Sequence, residues 1–377
     1  MNRREKVLDA VKLGGAYIAY CIGSGYATGQ EIMQFFTSYG WMGLAASVVS
    51  LVLFVWLGMS LMKVGRSLPP EEEGGSVYRY YCGNGLGTAL EWFTVIFSFG
   101  VFTIMLAGAG ATLNEYWGLP SFAGSALMGA LALITVFMGL DKLIGIIGII
   151  GPVIIVFSLF IGGASAVSNI GSLSTLSQTM ESVTIAQPTG NWLFAGALYT
   201  GYNAILLVPF LAQLSGVAKT RKTGIAGGFI GGFFLVLAII VMNLGLLCNI
   251  GSVCDKAIPT LALARNIHPL LAGSFVFILL GGIYSTAIPL LWMFCRRLAT
   301  EKTRRYNIIC VAAVAAAIVL SHLPFTELVG IVYPYTGYMG VIVMGFILVK
   351  QISVRFKKAH GAASAASSET QTASDNI

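Results

Sequence analysis

Charge is what this chain has least of. Only 10% of its 377 residues are Asp, Glu, Lys or Arg, against roughly 25% in soluble domains. So little charge cannot coat a soluble globule, while 56% of the residues are hydrophobic. The chain therefore reads as an all-α polytopic membrane protein. Clusters that carry covalent chemistry are missing as well. The six cysteines are scattered, with no metal-ligand spacing. Paired catalytic carboxylates, a phosphate loop and a nucleophile–base pair are all lacking, so neither an enzyme nor a cofactor is expected. Gly23 to Thr28 fails the dinucleotide fingerprint, because Thr28 stands where the third glycine belongs and no strand precedes it. No cleavable signal is evident, since Met1 to Val11 is charged and the first apolar segment is long.

Ten apolar segments are each long enough to span a bilayer, at about 8–36, 41–65, 86–116, 120–140, 143–165, 191–214, 223–249, 269–296, 306–323 and 326–350. An even count puts both termini on one side, and the basic residues choose it. Of the 22 Lys and Arg, 20 fall on the N-terminal side, leaving Lys256 and Arg265 on the other. That asymmetry makes both termini cytoplasmic. It also explains the net charge of +7 without invoking nucleic acid. The expected unit is a single transmembrane domain over 1–358, followed by a disordered tail over 359–377 rich in Ala, Ser and Thr. Pro69 to Gly75 reads as a cytoplasmic turn. Pro259 to Asn266 reads as a short outer helix, beside Cys248 and Cys254, which are placed to pair if that end is extracellular.

Segments one to five (about 8–165) and six to ten (about 191–350) form two halves joined by the Ser165–Asn191 loop. Five is odd, so matching segments cross in opposite senses, a 5+5 inverted repeat. The first segment holds Gly23, Ser24 and Gly25 at its centre, and a glycine costs about 1 kcal/mol against alanine in a helix interior. A break there frees backbone groups that lipid cannot satisfy. The freed N–H groups of the second half favour an anion, and the freed carbonyls of the first favour a cation. The sixth segment is expected to mirror it with a break over Gly196 to Asn203. Paired interruptions in two halves point to a transport site. Gly25 and Gly29 also have the spacing of a small-residue packing pair. In the eighth segment Gly282, Ser285 and Thr286 lie within about 60° of one helix face, offering two hydroxyls to a small cation. Glu31 lies at membrane depth, where an acid is functional or paired. The glycines at 227, 228, 231 and 232 suit close helix packing.

These residues resemble the LeuT-fold transporters of the amino acid–polyamine–organocation superfamily. The run Gly23-Ser-Gly-Tyr-Ala-Thr-Gly-Gln-Glu31 looks most like that of YkvI-type bacterial membrane proteins. The resemblance implies a sodium site formed by carbonyls of Ala19, Ile22 and Gly282 with the hydroxyls of Ser285 and Thr286. It implies an aromatic lid at Tyr202. A second sodium site is not implied, since Tyr26 and Ala197 replace its side-chain ligands. No lysine stands in for sodium in the fifth segment. Backbone near Gly23, Ser24 and Gly25 would take a carboxylate, and carbonyls near Gly196 to Tyr199 would take an amine, with Tyr202 over the solute. Glu31 and Tyr202 are the candidate gates. The expected function is sodium-coupled symport of a small zwitterionic solute, an amino acid or relative, across the bacterial cell membrane. The partners are the solute, sodium and the lipid bilayer. The alternatives are a proton-coupled symporter using Glu31 and a nutrient receptor that binds without transport.

Overall fold

The structure, a computed structural model, describes residues 2–65, 76–138 and 144–374, with backbone alone for 144–149, 355 and 357–374. The expected turn at Pro69 to Gly75 lies outside the described residues. The first apolar segment is divided into α1 (Arg3–Cys21), α2 (Ser24–Thr28) and α3 (Gln30–Phe35). Then come α4 (Trp41–Val64), α5 (Val77–Trp117), α6 (Ser121–Met138), α7 (Ile144–Ser168) and the short α8 (Leu176–Ser182). The second half holds α9 (Trp192–Val217), α10 (Arg221–Cys248), the one-turn α11 (Ile250–Val253), α12 (Pro259–Ile267), α13 (Pro269–Leu298), α14 (Arg304–Leu320) and α15 (Phe325–Ser374).

Local chemistry places the ends of these helices. The Asn191 side chain accepts from the N–H groups of Leu193 and Phe194 at the start of α9. Thr220 and Thr303 do the same for α10 and α14, each satisfying an orphan donor of a first turn. Pro259 and Pro269 sit in the first turns of α12 and α13, where a missing N–H does no harm. The expected short helix is thus present as α12. Gly83 (φ 78°, ψ 172°) kinks α5 near its start. Cys248 and Cys254 are free thiols.

Among the described residues, eight helices are long and apolar enough to cross a membrane: α4, α5, α6, α7 from Ile150, α9, α10, α13 and α15 to Val354. The other two expected spans fall short for visible reasons. The break leaves the first with only α1, whose N-terminal part carries Arg3, Arg4, Glu5, Lys6, Asp9 and Lys12, and α14 has 17 residues. The backbone of α15 continues as helix to Ser374, where the composition leads one to expect a disordered tail. Its many alanines are the residues most favourable to a helix.

The helices sort into two packed sets. α1, α4, α9 and α10 lie against one another, as do α5, α6, α13 and α14. α7 touches α1, α10 and α13, while α15 joins α9 to α5. Glycines permit the closest approaches. A Cβ added at Gly58 of α4 would fall 2.6 Å from the Gly228 carbonyl oxygen, and Leu13 and Tyr17 of α1 lie on Gly227 and Gly231. The glycines of α10 are thus a packing surface for α1 and α4.

The expected break in the sixth segment is not there: α9 is one continuous helix. Its small residues serve contact instead. Gly196 abuts the backbone of Ala46 in α4, and Gly201 abuts Gly337 and Gly340 in α15. Asn203 donates to the Tyr199 carbonyl at 2.9 Å within the helix. The Gly196 carbonyl accepts from Ser50 at 2.8 Å and from Thr200 at 3.2 Å. Neither carbonyl is left free for a solute amine.

Candidate functional site at the broken first helix

α1 stops at Cys21 because Ile22 (φ −85°, ψ 99°) and Gly23 (φ −108°, ψ −171°) are extended. The helix resumes at Ser24 and stops again at Gly29, which is left-handed at φ 83°. Only glycine suits that position, since a Cβ would meet Thr260 Oγ1 of α12 at 2.5 Å. The sequence gives no sign of this second interruption, because Gly29 followed by Gln30 and Glu31 looks like continued helix.

The first break faces α13. Thr286 Oγ1 donates toward the Ile22 carbonyl at 3.2 Å and the Gly282 carbonyl at 3.0 Å, and Ser285 Oγ donates to Gly282 at 2.8 Å. Four of the five residues expected to bind sodium therefore meet at one point. The fifth, Ala19, packs its Cα and Cβ on Gly151 of α7. The contact of Thr286 with Ile22 ties the broken helix of one packed set to α13 of the other.

Ser24, Gly25 and Tyr26 are all buried. The Ser24 N–H points at Met105 Sδ of α5, 3.4 Å away, and the Ser24 hydroxyl makes no hydrogen bond. Gly25 is covered by Glu31. An added Cβ there would lie 2.5 Å from both Cγ and Cδ of that side chain. The turn at Gly29 makes this possible by folding α3 back, so that Glu31 reaches over α2.

Glu31 is only 4% exposed. Its carboxylate accepts from Tyr202 and, at 3.3 Å, from Tyr199. The Tyr333 hydroxyl and the Tyr26 N–H also reach it. Aromatic rings enclose these hydroxyls. Tyr202 stacks on Tyr333 at 4.4 Å between centroids, and Phe36 meets Tyr199 edge-on at 4.8 Å. Phe35 touches both Tyr199 and Tyr202, and Phe54 adjoins Tyr199. The two candidate gates, Glu31 and Tyr202, are thus bonded to each other. Tyr199 contributes its side chain rather than a freed carbonyl, and Tyr202 its side chain as well. Tyr333 and the phenylalanines are not legible as site residues in the sequence, because an aromatic in an apolar helix carries no signal of its own.

A second cluster lies near the basic end of α5. Glu91 pairs with Arg79 at 3.0 Å and with Arg297 of α13 at 3.6 Å, and the Arg297 guanidinium sits over Trp92 at 5.1 Å.

No family model matches the chain. It is 24% identical over 349 residues to the uncharacterized membrane protein YkvI of Bacillus subtilis, covering 91% of this chain and 96% of that protein. It is 25% identical over 341 residues to the uncharacterized protein YyaD of the same organism, covering 89% and 95%. Among solved structures, a point mutant of the manganese transporter of Eremococcus coleocola superposes with a TM-score of 0.59 at 15% identity, over 92% of this chain and 79% of that one. Mhp1 in its inward-facing conformation superposes with a TM-score of 0.55 at 13% identity, over 90% and 75%. The chain is a homologue of the YkvI membrane protein, a multi-pass membrane protein of bacterial type with the fold of the LeuT-like transporters.

Proposed function

We propose that the protein is a sodium-coupled symporter of a small organic solute in the bacterial cytoplasmic membrane, with both termini cytoplasmic. In this reading the three pieces α1–α3 count as one crossing and α14 as another, which completes ten spans in a 5+5 inverted repeat. The observation that carries the proposal is the contact of Thr286 with the Ile22 carbonyl at the first break. A carbonyl left unpaired by a helix break, a second carbonyl at Gly282 and two hydroxyls form an oxygen cluster suited to a hard monovalent cation. Sodium would enter by turning the Thr286 and Ser285 hydroxyl protons away and taking their lone pairs, with Ala19 offering a further carbonyl. Bound there, it would pin the broken helix to α13 and so favour one arrangement of the two helix sets. The set α1, α4, α9 and α10 would rock against the rest in alternating access. The resemblance implies amino acids and their relatives as the solute, a small zwitterionic class.

Coupling between sodium and solute must be reciprocal, and is typically about 1–3 kcal/mol, or roughly 5–150-fold in affinity. The test is solute binding and uptake in proteoliposomes at rising sodium, with choline holding ionic strength constant. Affinity that rises with sodium in the wild type and stays flat in Ser285→Ala/Thr286→Ala supports the site. A sodium-independent wild type refutes it. Binding without uptake would instead favour the nutrient receptor. Proton coupling is the second reading, favoured by one observation: Glu31 is a buried carboxylate with neutral partners.

A further inference from the structure

Glu31 is a buried acid, and among the described residues no ion pair joins it to a basic side chain. The ion pairs among the described residues join Arg79, Lys256, Arg296 and Arg297 to other acids. Around Glu31 stand phenol hydroxyls and one backbone N–H. A carboxylate buried this way is costly unless a positive charge balances it. The surroundings are suited to supply that charge from a particular kind of ligand. The rings of Tyr199, Tyr202, Tyr333, Phe35 and Phe36 cluster about the acid. Aromatic faces attract ammonium groups by their quadrupoles, most strongly where water is excluded.

The same carboxylate bears on the other half of a zwitterion. Glu31 Cγ and Cδ occupy the space over Gly25 that a missing Cβ leaves open. A solute carboxylate could reach Gly25 only by displacing Glu31 or lying against it, and two carboxylates in one dry site repel. We infer that Glu31, on the face of Gly25 and within the Tyr199–Tyr202–Tyr333 cluster, takes the role of the solute's carboxylate, so that the solute is an organic ammonium without a carboxylate of its own. This inference rests on the transporter reading and replaces its zwitterionic solute with an amine. The ammonium pairs with Glu31, displaces the Tyr202 hydroxyl from it, and leaves its hydrocarbon part among the rings. Tyr199 and Tyr202 donate to the acid at this position.

The test uses amines and the amino acids that differ from them by a carboxylate: isoamylamine against leucine, and phenethylamine against phenylalanine. Binding to the purified full chain is read by thermal shift and by titration in sodium. The amines should stabilise the wild type and the amino acids should bind at least tenfold more weakly. Glu31→Gln should lose at least about 30-fold in amine affinity, as expected for removing one partner of a buried charge pair. Tyr202→Phe keeps the ring and the charge, and should bind amines with a smaller loss, which guards against a Glu31 variant that fails to fold. Leucine or phenylalanine binding as well as its amine, no binding by either amine, or amine affinity unchanged in Glu31→Gln would each overturn the inference. Uptake of the bound compound into proteoliposomes judges transport separately. Amines that bind but do not enter would refute symport and leave the assignment of Glu31 standing.

Discussion

Gly25 and Glu31 compete for one volume, and a double-mutant cycle measures that competition. Gly25 lies in the helical turn α2, so alanine fits its backbone and gains about 1 kcal/mol of helix propensity. Its Cβ, however, would fall 2.5 Å from Glu31 Cγ and Cδ, well inside contact distance. Glu31 has little room to yield, being enclosed by Tyr199, Tyr202 and Phe35. Overpacking of this kind costs about 1–3 kcal/mol. Gly25→Ala should therefore destabilise the wild type by about 0–2 kcal/mol, the clash less the propensity gain. In a Glu31→Ala background the clash is gone and only the propensity remains. The same substitution should then stabilise by about 1 kcal/mol. The difference, about 1–3 kcal/mol of coupling, exceeds the roughly 0.3–0.5 kcal/mol scatter of independent sites. Unfolding by SDS in mixed micelles would measure all four proteins. Effects that add within about 0.5 kcal/mol would show that Glu31 does not lie on Gly25.

Three further outcomes are expected. Thr286→Ala alone should weaken sodium binding and flatten the sodium dependence of solute affinity, measured by titration at constant ionic strength, while Thr286→Ser largely restores both. If Glu31 pairs with the solute and carries no coupling proton, an imposed pH gradient should drive no uptake into sodium-free proteoliposomes. Proton-driven uptake in the wild type that vanishes in Glu31→Gln would favour the proton-coupled reading. Gly228→Leu should lower the thermal midpoint and yield more than any change at the solute site, because its side chain meets the α4 backbone at Gly58, whereas Gly85→Leu, with open space around it, should be near neutral.

Much of the site was legible in the chain before it was folded. The run Gly23, Ser24 and Gly25 marks the helix break, which falls at Ile22 and Gly23, since local backbone preference acts without help from neighbours. The hydroxyls of Ser285 and Thr286 share a face with Gly282 by helical periodicity alone, and the structure sets that face against Ile22. Glu31 stood out because a charge at membrane depth is rare and costly. Membrane character, the approximate spans and the uneven distribution of Lys and Arg likewise depend on composition along the chain.

Tertiary structure decided the rest, and glycine shows why. Gly23 loosens a helix, whereas Gly196 and Gly201 let α9 lie close to α4 and α15 without breaking it. The residue is the same in each case, and what differs is the backbone opposite, which lies far away in sequence. Gly29 is a left-handed turn, and Thr260 of α12 leaves no room there for any side chain. That turn sends Glu31 back over Gly25 and brings it to Tyr202 and Tyr333, which lie on α9 and α15. The local sequence could mark Glu31 as a residue in need of a partner. Which groups partner it depends on three distant segments meeting at one point, and only the packed chain specifies that.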